Sequence, residues 1–422
     1  MLMVVYRHQY LPLCVPCPDH PQHQASTIMY VLVLNCGSSS VKFAVITPED
    51  GANVVVGLGQ RLGSPQASLV WRQGEAKDEV VMPGADHAAI ISAVVERLRG
   101  AGMLAKLAGI GHRVVHGGSK FAASVLVDTD VEARISSCNH LGPLHNPANL
   151  LGVRLGRELI PGVPQVAVFD TAFHQTMPAK AFRYAIPEAW YQDHDARRYG
   201  FHGTSHRFVA QEATRLLSRR SEDCQLITAH LGNGCSAAAV LNGHSVDTTM
   251  GLTPLEGLVM GTRSGDVDPA LVGYMANRLQ CSADKVIDQL NKNSGLQGLS
   301  GVSNDMRTLL AAEERGDTRA TLAVDVFCYR LAKSIAGLSA ALTRIDALVF
   351  TGGIGENSRP VRQRTLGHLA ALGFACDPVA NQVDGRDTHQ RISASGSRTV
   401  LVVPTNEELL IARDTAALVA GR

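Results

Sequence analysis

Tyr30-Val-Leu-Val-Leu-Asn35-Cys36-Gly37-Ser38-Ser39-Ser40-Val41-Lys42-Phe43-Ala44-Val45-Ile46 joins two apolar runs through a short polar turn that bears one glycine. Such a pattern predicts a β-hairpin whose turn exposes backbone N–H groups and hydroxyls. Gly37 lets backbone come close to a ligand, Ser38 and Ser40 can donate to phosphate oxygens, and Lys42 supplies a point charge. The turn feeds a strand and lacks the Walker lysine spacing, so it is a phosphate cradle of another kind.

The same grammar returns further along the chain. Leu226–Leu231 runs into Gly232-Asn233-Gly234-Cys235-Ser236 and on into Ala237–Val240, a second hairpin. Ala347–Phe350 ends in Thr351-Gly352-Gly353-Ile354-Gly355-Glu356, read as a strand followed by a glycine loop and then a helix-like segment. A fourth glycine-rich element is Gly261-Thr-Arg263-Ser-Gly265-Asp266, and none of the four contains the dinucleotide fingerprint. Two hairpins of one design imply a duplicated domain. With helical periodicity at 88–98, 320–341 and 407–420, the expected class is α/β: two similar domains, each a mixed β-sheet flanked by helices.

Composition removes whole classes of function. The chain has 422 residues, with 39 Lys+Arg against 38 Asp+Glu and a formal net charge of +1. A nucleic-acid binder needs a basic stripe, and a polybasic membrane anchor needs a similar excess. With 45% hydrophobic and 18% charged residues the chain can bury sizeable cores, and its length suggests two or three domains. Glycine is in surplus at 40 residues, about 9% against a usual ~7%. Nine scattered cysteines fit free thiols in a reducing cytoplasm better than a disulfide framework. Cys14-Val-Pro-Cys17 has no second pair to complete a zinc or redox site. No apolar run reaches the ~18 residues that span a bilayer. Residues 1–28 make a poor signal peptide and are expected to be an extension without chemistry.

Ten of the sixteen histidines fall between His112 and His244, among the glycine-rich turns, which marks that stretch for an active site. There the residues match a family. Asn35–Lys42, Arg113–Gly118, Pro143–Pro147, Phe169–His174, Tyr199–His206, His230–Gly234, Gly261–Asp268, Asp305–Arg307, Gly352–Glu356 and Asn406–Leu409 together resemble the acetate kinase family. The resemblance runs from Met29 to the C-terminus.

It implies a sugar kinase, Hsp70 and actin type of fold (a duplicated ribonuclease H-like unit) with a central cleft, and a homodimer. The implied domains are 29–172 with 405–422, and a nucleotide-binding 173–404. The implied reaction is reversible phosphoryl transfer between ATP and acetate, giving ADP and acetyl phosphate, with Mg²⁺, or Mn²⁺ in its place.

Carboxylates ionise at a pH of roughly 4–5, so the acceptor needs no general base, and catalysis must come from alignment and charge neutralisation. By resemblance Arg113 and Arg263 flank the transferring group, Arg113 also holding the acetate, and His202 hydrogen-bonds the phosphoryl oxygens. His145 and His230 are further candidates. Asp170 has two open roles: positioning Mg²⁺ and its waters, which an ionised substrate favours, or direct proton transfer. Asn35 and Glu407 match metal positions. Lys42, Ser38 and Ser40 are assigned to ATP, as are His230, Leu231, Gly232, Asn233 and Gly234. So are Asp305, Met306, Arg307, Gly352, Gly353, Ile354, Gly355 and Glu356. Val115, Leu144, Phe201 and Pro254 are expected to line an acyl pocket sized for a methyl group. Because one methylene changes discrimination by only about 1–3 kcal/mol, propionate or another short-chain acid remains an alternative acceptor. A non-catalytic ATP clamp of the actin type would need neither arginine nor the acyl pocket.

Overall fold

The computed structural model describes residues 29–143 and 145–421. The extension read at 1–28, its Cys14–Cys17 pair and Leu144 lie outside the described residues. In the first sheet eight strands run β1 Tyr30–Cys36, β2 Ser40–Ile46, β3 Asn53–Gln60, β4 Ser68–Gln73, β5 Ala76–Val81, β6 Leu107–Val114, β7 Val125–Leu126 and β8 Gln165–Phe169. Their spatial order is β5-β4-β3-β2-β1-β6-β8-β7. The second sheet holds β9 Gln225–Leu231, β10 Cys235–Leu241, β11 His244–Thr248, β12 Ala347–Thr351 and β13 Thr399–Val402, in the order β11-β10-β9-β12-β13.

One plan is used twice. Both β3-β2-β1-β6-β8 and β11-β10-β9-β12-β13 run antiparallel, antiparallel, parallel, parallel from first strand to last. The two hairpins expected from sequence are β1–β2 and β9–β10, the leading pair of each copy. Both sheets are mixed and flanked by helices, so the expected fold class holds. Central strands such as β8 and β12 are buried at every residue, as strands covered on both faces must be.

What joins the copies is an exchange of helices. The Gly203–Leu216 helix follows β8 yet packs on β9 and β12, whereas the Glu407–Ala420 helix follows β13 and packs on β6, β1 and β8. Phe208, Val209 and Ala213 from one helix and Leu410, Ile411 and Ala412 from the other share a core with Val31, Val166, Leu226 and Val349 of the two sheets. The second helix lies so close to β6 that a Cβ on Gly111 would sit 2.5 Å from Ile411 Cγ2 and Thr415 Oγ1. Outer cores form under the His87–Gly100 helix on the first sheet and the Thr318–Leu338 helix on the second.

One expectation needs correction. Gly352–Asn357 is a helical turn and not a glycine loop. Gly352 leaves the strand at φ +76°, a left-handed conformation, and Glu356 Oε1 accepts from its N–H at 2.9 Å, closing the turn.

Candidate active site

Parallel pairing of β1, β6 and β8 brings their C-terminal ends to one edge, where Asn35, Arg113 and Asp170 emerge side by side. Open α/β sheets bind ligands outside such ends. Asp170 is buried and receives a two-pronged bond from Arg113: Nε donates to Oδ1 at 2.9 Å and Nη2 to Oδ2 at 2.7 Å. Glu407, at the start of the exchanged helix, lies 3.9 Å from the same Nε. Burial opposes charge on Arg113, but Asp170 and Glu407 outweigh it and hold the guanidinium protonated. Burial, together with the Asp170 charge, pushes the Glu407 carboxyl up against the pull of Arg113.

A cavity of about 360 Å³ opens in front of this pair. Its wall includes Asn35, Gly37, Ser40, Lys42, Arg113, Val115, His145, Asp170, Phe201, His202, Pro254 and Arg263. Of the acyl-pocket residues expected from sequence, Val115, Phe201 and Pro254 therefore meet at one place. Arg263 differs from Arg113 in kind. Its Nη1 donates to Pro254 O at 3.3 Å, and no carboxylate of the described residues lies within ion-pair distance. Burial alone pulls its pKa down. An uncompensated guanidinium facing a cavity is a site for an anion.

His202 reaches this cavity through backbone geometry. Its φ of 58° is left-handed, and Gly203 N donates to Asp170 O at 2.8 Å. Any Cβ at Gly203 would collide with that carbonyl, so glycine is required. The His202 ring lies 4.4 Å from that of His230, tilted by 34°, and its Nδ1 lies 2.9 Å from Ser236 Oγ. His230 Nδ1 is 2.7 Å from Ser205 Oγ, which meets Thr405 Oγ1 at 2.9 Å. Burial holds His202 far below the usual histidine value, with nearby His230, Arg113 and Arg263 adding to it, and pulls His230 down to about 4.

The Gly232–Gly234 turn separates this cavity from a larger one. Gly234 faces His202 and Arg263, while Gly232 and Asn233 line a cleft of about 660 Å³ with Asp305, Met306, Arg307, Gly353 and Ile354. Those seven residues were expected at the nucleotide. Asn304 and Asn357 join them without a sequence signal, although Asn304 donates to Asn233 Oδ1 at 2.9 Å. Other expected nucleotide residues stand elsewhere. Leu231 is fully buried in the core, and Ser38 is exposed outside both cavities. Gly352 and Gly355 are buried in their helical turn, and Glu356 Oε1 ties Gly352 N to Thr405 N. Lys42 Nζ is paired with Glu408 at 2.5 Å. A smaller space of about 190 Å³ lies between Asn35, Lys42, Arg113, Thr405, Glu407 and Glu408.

Buried neutral histidines make a stability prediction. His112, His116 and His174 are buried, and desolvation takes each from 6.5 to about 4. The unfolded chain therefore binds these protons first as pH falls. Stability should be full above 6.5 and decline towards 4, by up to about 1.4 kcal/mol per pH unit for each histidine. Thermal melts should show a level Tm at about pH 7–8 and a steady fall below 6.5; a Tm indifferent to acid would contradict it.

The known proteins this chain resembles point to one family. Residues 30–413 match the Acetokinase family. A protein named acetate kinase from Ectopseudomonas mendocina is 55% identical over 92% of this chain and 98% of its own length. Another from Deinococcus deserti is 53% identical over 93% and 99%. Among solved structures, a propionate kinase from Francisella tularensis superposes with a TM-score of 0.88 at 44% identity, over 92% of this chain and 100% of its own. Porphyromonas gingivalis acetate kinase gives 0.87 at 40%, over 92% and 99%.

Proposed function

The chain belongs to the acetokinase family, and from that premise we propose that it is an acetate kinase, moving the γ-phosphoryl group of ATP to acetate to give acetyl phosphate and ADP. The observation that carries the reading is the pair of arginines across one small cavity. Arg113 is neutralised by Asp170, and Arg263 is left without a carboxylate partner among the described residues.

Acetate arrives ionised, so no residue has to remove a proton. Arg113 keeps Nη1 clear of Asp170 and turns it to the acetate carboxylate, while Val115, Phe201 and Pro254 enclose the methyl group. Arg263 and the His202 imidazole act on the equatorial phosphoryl oxygens, where negative charge concentrates in transfer. ATP lies in the larger cleft with its phosphates over the Gly232–Gly234 turn. Neutral His202 can donate there without adding a charge that would compete with the arginines.

Asn35, Asp170 and Glu407 offer carbonyl and carboxylate oxygens to a metal, and Glu407 is a half-buried carboxylate that desolvation and the Asp170 charge push up. That donor set fits Mg²⁺, which takes one or two carboxylates and completes its shell with phosphate oxygens and water. When bound, the ion would neutralise the nucleotide phosphates. Asp170 anchors Arg113 and would help hold such an ion; the ionised substrate leaves it no proton to transfer.

A propionate kinase among the similar structures keeps a second acceptor in view. The enzyme should use acetate over propionate by about tenfold in kcat/KM, and butyrate less still, since each added methylene must fit between Phe201 and Pro254. Trapping the acyl phosphate with hydroxylamine, with Mg-ATP and the three acids in parallel, tests this. A propionate preference would reassign the acceptor, and no hydroxamate from any acid would end the kinase reading.

The division into 29–172 with 405–422 and 173–404 suits closure about the cleft. A homodimer is supported by the apolar Ala270–Leu279 helix, which buries none of its residues and leaves Tyr274 and Leu279 exposed. The seven described cysteines are free thiols, which supports a cytoplasmic setting, and no described helix is long and apolar enough to cross a membrane.

A further inference from the structure

Behind His202 lies a buried chain of hydrogen bonds that the reaction as described does not use. His202 Nδ1 is 2.9 Å from Ser236 Oγ, and the same oxygen is 2.8 Å from His206 Nε2. His206 Nδ1 is 2.7 Å from Thr228 Oγ1. Ser236, His206 and Thr228 are each fully buried, and Thr228 Oγ1 has no other partner among the described residues. We propose that Ser236, aligned by His206 and Thr228, is a positioning residue that fixes His202 as its Nε2–H tautomer, so that a neutral imidazole presents a donor to the phosphoryl group. This rests on the acetate kinase reading, in which His202 faces that group.

Counting protons decides the direction of the chain. Burial keeps His202 and His206 neutral, so each ring carries one N–H. In one direction Thr228 O–H donates to His206 Nδ1, His206 Nε2–H to Ser236, and Ser236 O–H to His202 Nδ1. Every hydrogen inside the protein is then accepted, and His202 Nε2–H is left to face the cleft. Reversing the chain gives the same three bonds but strands the Thr228 hydroxyl hydrogen in a fully buried site, and it turns a bare nitrogen towards the cleft. Unsatisfied buried donors are disfavoured, so the first direction wins.

Within the same cluster His174 shows the pattern where it cannot be otherwise. Its Nε2 is 3.0 Å from Phe201 O, which can only accept, so Nε2 carries the proton and Ser245 must donate to Nδ1 at 2.7 Å. The tautomer of a histidine is set by what its other nitrogen meets. Ser236 takes for His202 the part that Ser245 takes for His174.

The test is ¹⁵N NMR of histidine-labelled full-length protein, with the His202 signals assigned by their loss in His202→Gln, beside steady-state kinetics. Wild type should show His202 protonated at Nε2 alone. In Ser236→Ala the two neutral tautomers should interconvert, and kcat should fall about tenfold while KM for acetate and Mg-ATP stays within about twofold. Thr228→Val, which touches neither substrate nor His202, should mix the tautomers in the same sense and serves if Ser236→Ala does not fold. Protonation at Nδ1 in wild type would overturn the proposal. So would a pure Nε2–H signal with unchanged kcat in Ser236→Ala. Because the tautomer is read without turnover, failure here is separable from failure of the kinase reading, which the hydroxamate yield decides.

Discussion

Arg263→Ala should lower kcat by about three orders of magnitude and leave both ATP binding and thermal stability nearly untouched. The expected size follows from arginines that act on a transferring phosphoryl group, whose removal costs about 10³–10⁵ in rate. Retained ATP binding follows from position, because the larger cleft is lined by residues from 232–233, 304–310 and 353–360, and Arg263 is not among them. Stability follows from the missing partner. Among the described residues Arg263 has no carboxylate to abandon, and burial already works against its charge, so the folded protein loses little when it goes. Measured together, kcat, the ATP dissociation constant and Tm should separate cleanly. Comparable losses in all three would make Arg263 a structural residue.

Arg113→Ala should behave differently, and the contrast is the informative part. Here the guanidinium is held by Asp170 through two bonds and approached by Glu407, so its removal leaves the buried Asp170 carboxylate unpaired, with the half-buried Glu407 nearby. Breaking one side of such a pair costs about 3–5 kcal/mol, which should appear as a clear drop in Tm. Activity should fall by at least about 10³, with the KM for acetate rising as well, since the acceptor loses its anchor. Arg113→Lys should recover much of the Tm and little of the activity, because an ammonium supplies charge without the planar fork that Asp170 engages. If Arg113→Ala melted like wild type, the ion pair would be irrelevant to the fold and Arg263 would not be special by comparison.

Local chemistry is what a sequence displays, and the parts of this site built from local chemistry were readable there. Gly37, Gly232 and Gly234 lie in tight turns between antiparallel strands, and each turn's composition announces it. The Glu407–Ala420 helix has its cap, Asn406, whose Oδ1 accepts from Leu409 N at 3.0 Å, written immediately before it. What stayed hidden depends on distant pairing. Ser236 reads as the last residue of the polar turn, whereas the strand already begins at Cys235, and only the β9–β10 pairing, with the Gly203–Leu216 helix crossing above, puts its hydroxyl between two histidines. Lys42 looks like a free cation in its hairpin, and Glu408, which holds it, returns from the far end of the chain. Leu231 and Glu356 belong to stretches expected from sequence to bind phosphate, yet their side chains serve the core and a helix turn. The exchange of helices between the copies has no local signature at all.

In the proposed reaction the Arg113–Arg263 cavity is where a phosphoryl group passes to acetate. The most direct measurement is ³¹P NMR of full-length protein turning over Mg-ATP and acetate, run beside Arg263→Ala under conditions that saturate both with ATP. Wild type should form acetyl phosphate and ADP one for one, and the variant should form almost none while still binding ATP. Wild type that releases only inorganic phosphate, or a variant that makes acetyl phosphate at the wild-type rate, would contradict the account.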